Sequence, residues 1–116
     1  IVDDDPLVLE SLGVTLGSDG HKVTAADGGQ AGVDVFTEAH GRGAQFDVVI
    51  TDLGMPHIDG RRVAAAIKAM SPATPVILLT GWGQRLVDDG DIPAHVDHVL
   101  NKPPKLRDLR AALASV

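Results

Sequence analysis

The sequence predicts an α/β fold: five parallel strands in one sheet, ordered 2-1-3-4-5, with helices wound over both faces. Three observations predict it. Apolar runs alternate with helical patterns along the chain, the signature of strands joined by crossover helices. The third and fourth runs are apolar along their length, as strands covered on both faces must be, whereas the second and fifth carry His21, Lys22, Thr24, Asp97 and His98, which suits sheet edges. Finally, Asp3-Asp4, Asp52, Thr80 and Lys102 each follow an apolar run. The predicted order has its switch point between strands one and three, where ligands settle at the carboxyl ends.

Taken in order, the first strand is the stub Ile1-Val2. Strands usually run about five residues, so this one reads as truncated, with residues expected upstream. Asp5-Pro6 is an N-cap followed by a first-turn proline. Leu9, Leu12 and Leu16 then recur at helical spacing until Gly17 to Gly20 ends the helix. His21 to Ala25 is a short second strand. Asp27 can cap a second helix with Ala31, Val35 and Ala39 on one face, and His40 to Gly43 is a loop. Phe46 to Thr51 is the third strand. Asp59-Gly60 makes a turn and helix start, Val63, Ile67 and Met70 share a side, and Ser71-Pro72 stops the helix. Pro75 to Thr80 is the fourth strand. Gln84 to Asp88 has room for a turn or two of helix between Gly81 and the breakers Gly90 and Pro93. Val96 to Asn101 is the fifth strand, and Leu106, Leu109, Leu113 and Val116 form a last amphipathic stripe. That stripe reads as core, with an outer edge that could support a weak homodimer.

The bulk numbers narrow the function classes. A chain of 116 residues fits one domain, here taken as 1–116. The 44% hydrophobic fraction allows a real core, built from aliphatic residues because aromatics are only 3%. There is no cysteine, hence no disulfide framework and no thiolate metal site, which fits a reducing compartment. A net charge of −6 gives no basic face for nucleic acid. No apolar run approaches the ~20 residues of a membrane span, and no secretory signal opens the chain.

The clustered acids carry the chemistry. Carboxylates pressed together stay ionised only if a cation relieves them. Oxygen ligands without sulfur or paired imidazoles suit Mg²⁺. A carboxylate can also be a nucleophile toward phosphorus, giving an aspartyl phosphate. Phosphoryl transfer requires positioning and charge neutralisation above all. A metal, the Lys102 ammonium, the Thr80 hydroxyl and the Gly81 backbone N–H would provide them.

The residues Val2-Asp3-Asp4-Asp5-Pro6, Val49-Ile50-Thr51-Asp52-Leu53-Gly54-Met55-Pro56, Asp59-Gly60, Leu79-Thr80-Gly81 and Lys102-Pro103 together resemble a response-regulator receiver domain of two-component signalling. No single piece is specific; all of them in order are. The resemblance implies a flavodoxin-like, CheY-like fold and a phosphoacceptor switch, not an enzyme with outside substrates. Asp52 would accept phosphate from a histidine kinase or histidine phosphotransfer domain. Asp4 would bind Mg²⁺ (or Mn²⁺) directly and Asp3 mainly through water, with Asp52 and the Gly54 carbonyl completing the protein ligands. Thr80 would swing to the phosphoryl group, Gly81 would donate its N–H, and Lys102 would pair with the group, preceding a cis proline bond. Phosphorylation would switch the face formed by Thr80, the segment after it and the fifth strand. A cytoplasmic location follows, with neither membrane nor nucleic acid touched by the domain itself.

The sequence departs from the family pattern at three points. Val99 stands where an aromatic switch residue is usual, Gly81-Trp82-Gly83 leads into a broken helix, and Lys102 precedes two prolines. Leu78-Leu-Thr-Gly-Trp-Gly83 and Leu100-Asn-Lys-Pro-Pro104 resemble receivers fused to hybrid sensor histidine kinases, which can be membrane-anchored. Neither Gly54 nor Trp82 offers a side chain to hold an attacking water, so a long-lived aspartyl phosphate is expected.

Other readings compete. Haloacid-dehalogenase-type phosphatases also form an aspartyl phosphate, but they need a second Asp two residues after the nucleophile, and here that position is Gly54. A pseudo-receiver serving only as a binding module would not need the intact acid set. Asp5 alone is helix capping. His21, His40, His57, His95 and His98 lack ligand spacing on any one helix, so they make no zinc site. Trp82 is open between buried packing and a docking role.

Overall fold

A computed structural model describes residues 1–81 and 93–116. Three strands are formed in full: β1 (Val49–Asp52), β2 (Val76–Thr80) and β3 (His98–Asn101). All pair in parallel in the order β1-β2-β3, with Asp52 opposite Leu79 and Thr80 opposite Asn101. Val2 extends the sheet through parallel bridges to Thr51 on one side and Ala26 on the other. Its N–H donates to the Ile50 carbonyl at 2.8 Å, and its carbonyl accepts from Asp52 N–H at 2.8 Å. These bridges put the first strand between the second and the third, as the order 2-1-3-4-5 requires.

The second strand is shorter than the sequence indicates. In place of His21 to Ala25, pairing is confined to the Thr24 carbonyl, which accepts from the Ile1 nitrogen at 2.8 Å, and to Ala26, which bonds Ile1 and Asp3. A strand can pair only as far as its neighbour runs, and that neighbour offers Ile1 to Asp3. The third strand shifts the other way, to Val49–Asp52, because its ladder opens with Val49 N–H donating to the Pro75 carbonyl at 3.0 Å.

Helices α1 (Pro6–Ser18), α2 (Gly29–Gly41), α3 (Gly60–Met70) and α4 (Leu106–Ser115) complete the described elements. Asp5 caps α1 by accepting from Leu7 N–H at 3.0 Å. Asp59 caps α3, accepting from Arg61 and Arg62 N–H at 3.1 Å each. Asp27 does not cap α2; Gly28 holds that position without a side-chain bond. The buried face of α2 is Gly29, Gly32, Phe36 and Ala39 rather than Ala31, Val35 and Ala39. Two glycines on that face let the helix come close: a Cβ at Gly32 would stand 2.6 Å from a Val2 methyl, and one at Gly29 would run into the Ile58 carbonyl.

Side-chain alternation along the strands feeds two cores. One holds Val2, Phe36, Val49, Met55, Val63, Ala64, Ile67 and Val76, under α2 and α3. The other holds Leu12, Leu16, Ile50, Ile77, Leu79, Leu109 and Ala112, under α1 and α4. The sheet is therefore covered on both faces, and β1 and β2 are buried throughout. Each large aliphatic side chain sealed this way contributes about 1.5–3 kcal/mol. β3 is only partly covered, as an edge should be. The stripe on α4 is narrower than its spacing indicates: Leu109 is buried, while Leu106 and Val116 stay exposed. Trp82, the Gly83 that follows it, the helical turn read at Gln84 to Asp88, and Gly90 lie outside the described residues.

Candidate functional site

The carboxyl ends of the strands bring four of the expected side chains together. Asp3 follows the Val2 bridge, Asp4 comes next, and Asp52 is the last residue of β1. One carboxylate oxygen from each of these three acids lies within 4.8 Å of the others. Asp3 is fully buried and Asp52 is buried, while Asp4 is exposed. The cluster thus has a closed floor and an open mouth. Lys102, one residue past β3, reaches in: its Nζ lies 2.9 Å from Asp3 Oδ2 and 3.2 Å from Asp52 Oδ2. The Lys102-Pro103 bond is cis, as the resemblance implies.

Thr80 ends β2 one residue beyond the partner of Asp52, is buried, and accepts from Lys102 N–H through its carbonyl at 3.1 Å. Gly81 follows it at the surface with open space where a Cβ would be, and Gly54 is likewise exposed and unobstructed. Those two glycines therefore present bare backbone at the ends of β2 and β1.

The electrostatics follow from three acids and one ammonium. Burial first, then the neighbouring Asp3 charge, push the Asp52 carboxyl up from its ordinary value. Lys102 opposes that rise, and Asp4 adds to it. Burial would lower the Lys102 ammonium, but its bonds to Asp3 and Asp52 outweigh this and hold it up. The two shifts are compatible because one cation is shared between carboxylates: Lys102 gains two partners, whereas Asp52 shares its partner and faces like charge.

The donor set fits a divalent cation. Asp3 Oδ1 accepts from Asp5 N–H at 2.8 Å, and the buried Oδ2 meets Lys102 Nζ at 2.9 Å but no other donor among the described residues. Fully ionised, the four side chains sum to two negative charges. All the side-chain ligands are hard oxygens, which suits Mg²⁺ or Mn²⁺.

Sequence reasoning missed what braces this site. Gly60 sits so close to the end of β1 that a Cβ there would strike the Asp52 carbonyl and stand 2.8 Å from Leu78 Cδ1. His57, in the loop between, has φ 65°, a left-handed value. The Asp59-Gly60 pair was a readable signal for the first; nothing local marks the second.

Comparison with known proteins places the chain. The sequence model of the response regulator receiver domain matches residues 1–114. Transcriptional regulatory protein GlrR of Escherichia coli K12 is 40% identical over 83 residues, which is 72% of this chain and 18% of that protein. Sensor histidine kinase RcsC of the same organism is 30% identical over 118 residues, 97% of this chain and 11% of that protein. The chain thus spans less than a fifth of either relative. Among solved structures, response regulator protein TrrA from Thermotoga maritima, in complex with Mg(2+)-BeF, superposes with TM-score 0.83 at 26% identity, covering 98% of this chain and 93% of that one. With the family match running through all but the last two residues, the chain belongs to the response regulator receiver domains, the phosphoacceptor switch domains of two-component signalling.

Proposed function

We propose that Asp52 is the phosphoacceptor and that it takes its phosphoryl group from a phosphohistidine on a histidine kinase or histidine phosphotransfer domain, in a Mg²⁺-dependent reaction. The observation that carries this reading is the convergence of Asp3, Asp4 and Asp52 with Lys102 at the end of β1. An Asp52 oxygen forms the new O–P bond as the P–N bond of the donor breaks. The imidazole leaves with that electron pair and later takes a proton from solvent.

Asp4, Asp52 and the Gly54 carbonyl hold Mg²⁺ (or Mn²⁺), with Asp3 acting mainly through water. The ion, when bound, neutralises phosphoryl oxygens and so offsets the repulsion between acid cluster and incoming group. Lys102 leaves its resting ion pair to partner a phosphoryl oxygen. The Thr80 hydroxyl and the Gly81 N–H donate to the same group. The response passes to the face formed by Thr80 and β3, where the half-buried Val99 takes the place of an aromatic residue. Residues 1–116 act as one receiver domain, and the polypeptide it serves, a hybrid kinase or a transcriptional regulator, sets the output.

The test is chemical labelling. Acetyl phosphate with Mg²⁺ should add one acid-stable, base-labile phosphoryl group, seen by intact mass. Asp52→Asn should show none, and chelation should abolish labelling of wild type. Labelling that persists in Asp52→Asn would move the acceptor elsewhere. Rapid multiple turnover of phosphate monoesters would instead make the chain a phosphatase.

A further inference from the structure

The acids of the site belong to two segments far apart in the chain and joined by main-chain hydrogen bonds: Val2 to Asp4, and the end of β1 with the loop that follows it. Both are braced by one helix. On the buried face of α2, Gly32 lies against Val2, the residue before Asp3, and Gly29 lies against Ile58, two residues before Gly60. Gly60 in turn is seated on the Asp52 carbonyl, and its N–H donates to the Leu53 carbonyl at 3.0 Å. A continuous path of backbone contact therefore runs from Gly29 through Ile58 and Gly60 to the main chain of Asp52.

We propose that Gly29 is a positioning residue of the phosphoacceptor site, acting through Ile58 and Gly60 on Asp52, and that α2 is thereby coupled to ion binding at the site. This rests on the metal-site reading given above and extends it to a helix that contributes no ligand.

The direction of yielding decides whether the coupling is real. A Cβ at Gly29 would overlap the Ile58 carbonyl and stand 2.9 Å from Ile58 Cβ, so either α2 or the loop must move. Phe36 and Ala39 anchor α2 in the core at 2% and 3% exposure. The loop is the softer side: it is partly exposed, and His57 already holds a left-handed φ of 65°. Displacement should therefore pass into Ile58 and Gly60, and from there to Asp52. The position of Asp52 matters to more than one partner, since its Oδ2 shares the Lys102 ammonium with the fully buried Asp3, at 3.2 and 2.9 Å. Coupling is reciprocal, so an ion in the site must also steady the start of α2.

The experiment is a calorimetric Mg²⁺ titration of the 116-residue protein, with urea unfolding alongside. Gly29→Ala is compared with Ile67→Val, which removes a methyl from the same core at a fully buried position of α3. Gly29→Ala should weaken Mg²⁺ binding by at least about fivefold, the low end of ordinary coupling between sites, while Ile67→Val stays within about twofold of wild type. Amide exchange without metal should speed up at Ile58 and Gly60 in Gly29→Ala only. Should Gly29→Ala fail to fold, amide exchange of wild type carries the test: Mg²⁺ should slow exchange at Ile58 and at the start of α2, and unchanged exchange there overturns the inference. Equal affinity in the glycine variant and Ile67→Val overturns the inference alone. Wild-type binding that survives Asp52→Asn overturns the metal-site reading and this inference with it.

Discussion

Asp52 shares its pocket with two other carboxylates and a single ammonium. Its carboxyl is raised above the ordinary 3.8, chiefly by burial and then by Asp3. The folded protein thus binds more protons than the unfolded chain between 3.8 and the raised value. The stability this contributes is complete below 3.8 and is lost as pH rises through the folded value. Asp52→Asn cannot ionise and leaves Lys102 its 2.9 Å contact with Asp3. In metal-free buffer it should match wild type at about pH 3 and exceed it at about pH 7, where Asp52 is expected to ionise, as read by urea midpoints. A wild type more stable than the variant at neutral pH would contradict this. His57 offers a second case. Its φ of 65° is spanned by an Ile58 N–H bond to the Pro56 carbonyl at 2.8 Å, making a tight left-handed turn. Left-handed backbone costs a non-glycine residue about 1–2 kcal/mol, against about 0.5–1 kcal/mol of extra chain entropy for glycine. His57→Gly should therefore gain about 0.5 kcal/mol in urea unfolding; a loss would mean that the imidazole makes a contact of its own.

Among the elements, α3 shows how a cap serves the site. Asp59 satisfies two first-turn N–H groups, and Gly60 follows it onto the Asp52 carbonyl. Asp59→Ala should cost about 1 kcal/mol, measured as a lowered urea midpoint, and should slow acetyl phosphate labelling because the first turn frays beside Asp52, the proposed acceptor. Unchanged labelling would separate the helix start from the chemistry. Caps such as Asp5 and Asp59 were legible in the sequence because the side chain does the bonding itself. Asp27 misled for the opposite reason: α2 starts at a glycine chosen by packing, and no local pattern shows that Val2 and Ile58 will lie against Gly32 and Gly29. The strands were legible in kind but not in extent, since pairing stops where the neighbour stops, as at Ile1-Val2. The meeting of Asp3, Asp4, Asp52 and Lys102 was legible because each ends an apolar run and a parallel sheet aligns such ends. The sharing of Lys102 by two acids was not, because side-chain reach across strands leaves no trace in spacing.

For the whole molecule, ligand binding at the strand ends should appear as stability. A ligand that binds only the folded state adds about 2.7 kcal/mol at 100 times its dissociation constant. Mg²⁺ should raise the thermal midpoint, and Mg²⁺ with beryllofluoride should raise it further, by scanning calorimetry. Asp52→Asn should lose the second increment. An identical increment in both proteins would place the fluoride complex away from Asp52. No described helix is long and apolar enough to cross a membrane. One feature of the resting pocket shapes what the chain can be used for. Because Lys102 already lies against Asp3 and Asp52, the acids carry an internal counter-charge before any ion arrives. That counter-charge relieves part of the repulsion from within the fold, whereas some small domains collapse only around their metal. On the proposed reading, an ion would come and go on a finished scaffold, so the pocket would be a reusable receptacle and signalling, rather than survival of the fold, would depend on what fills it.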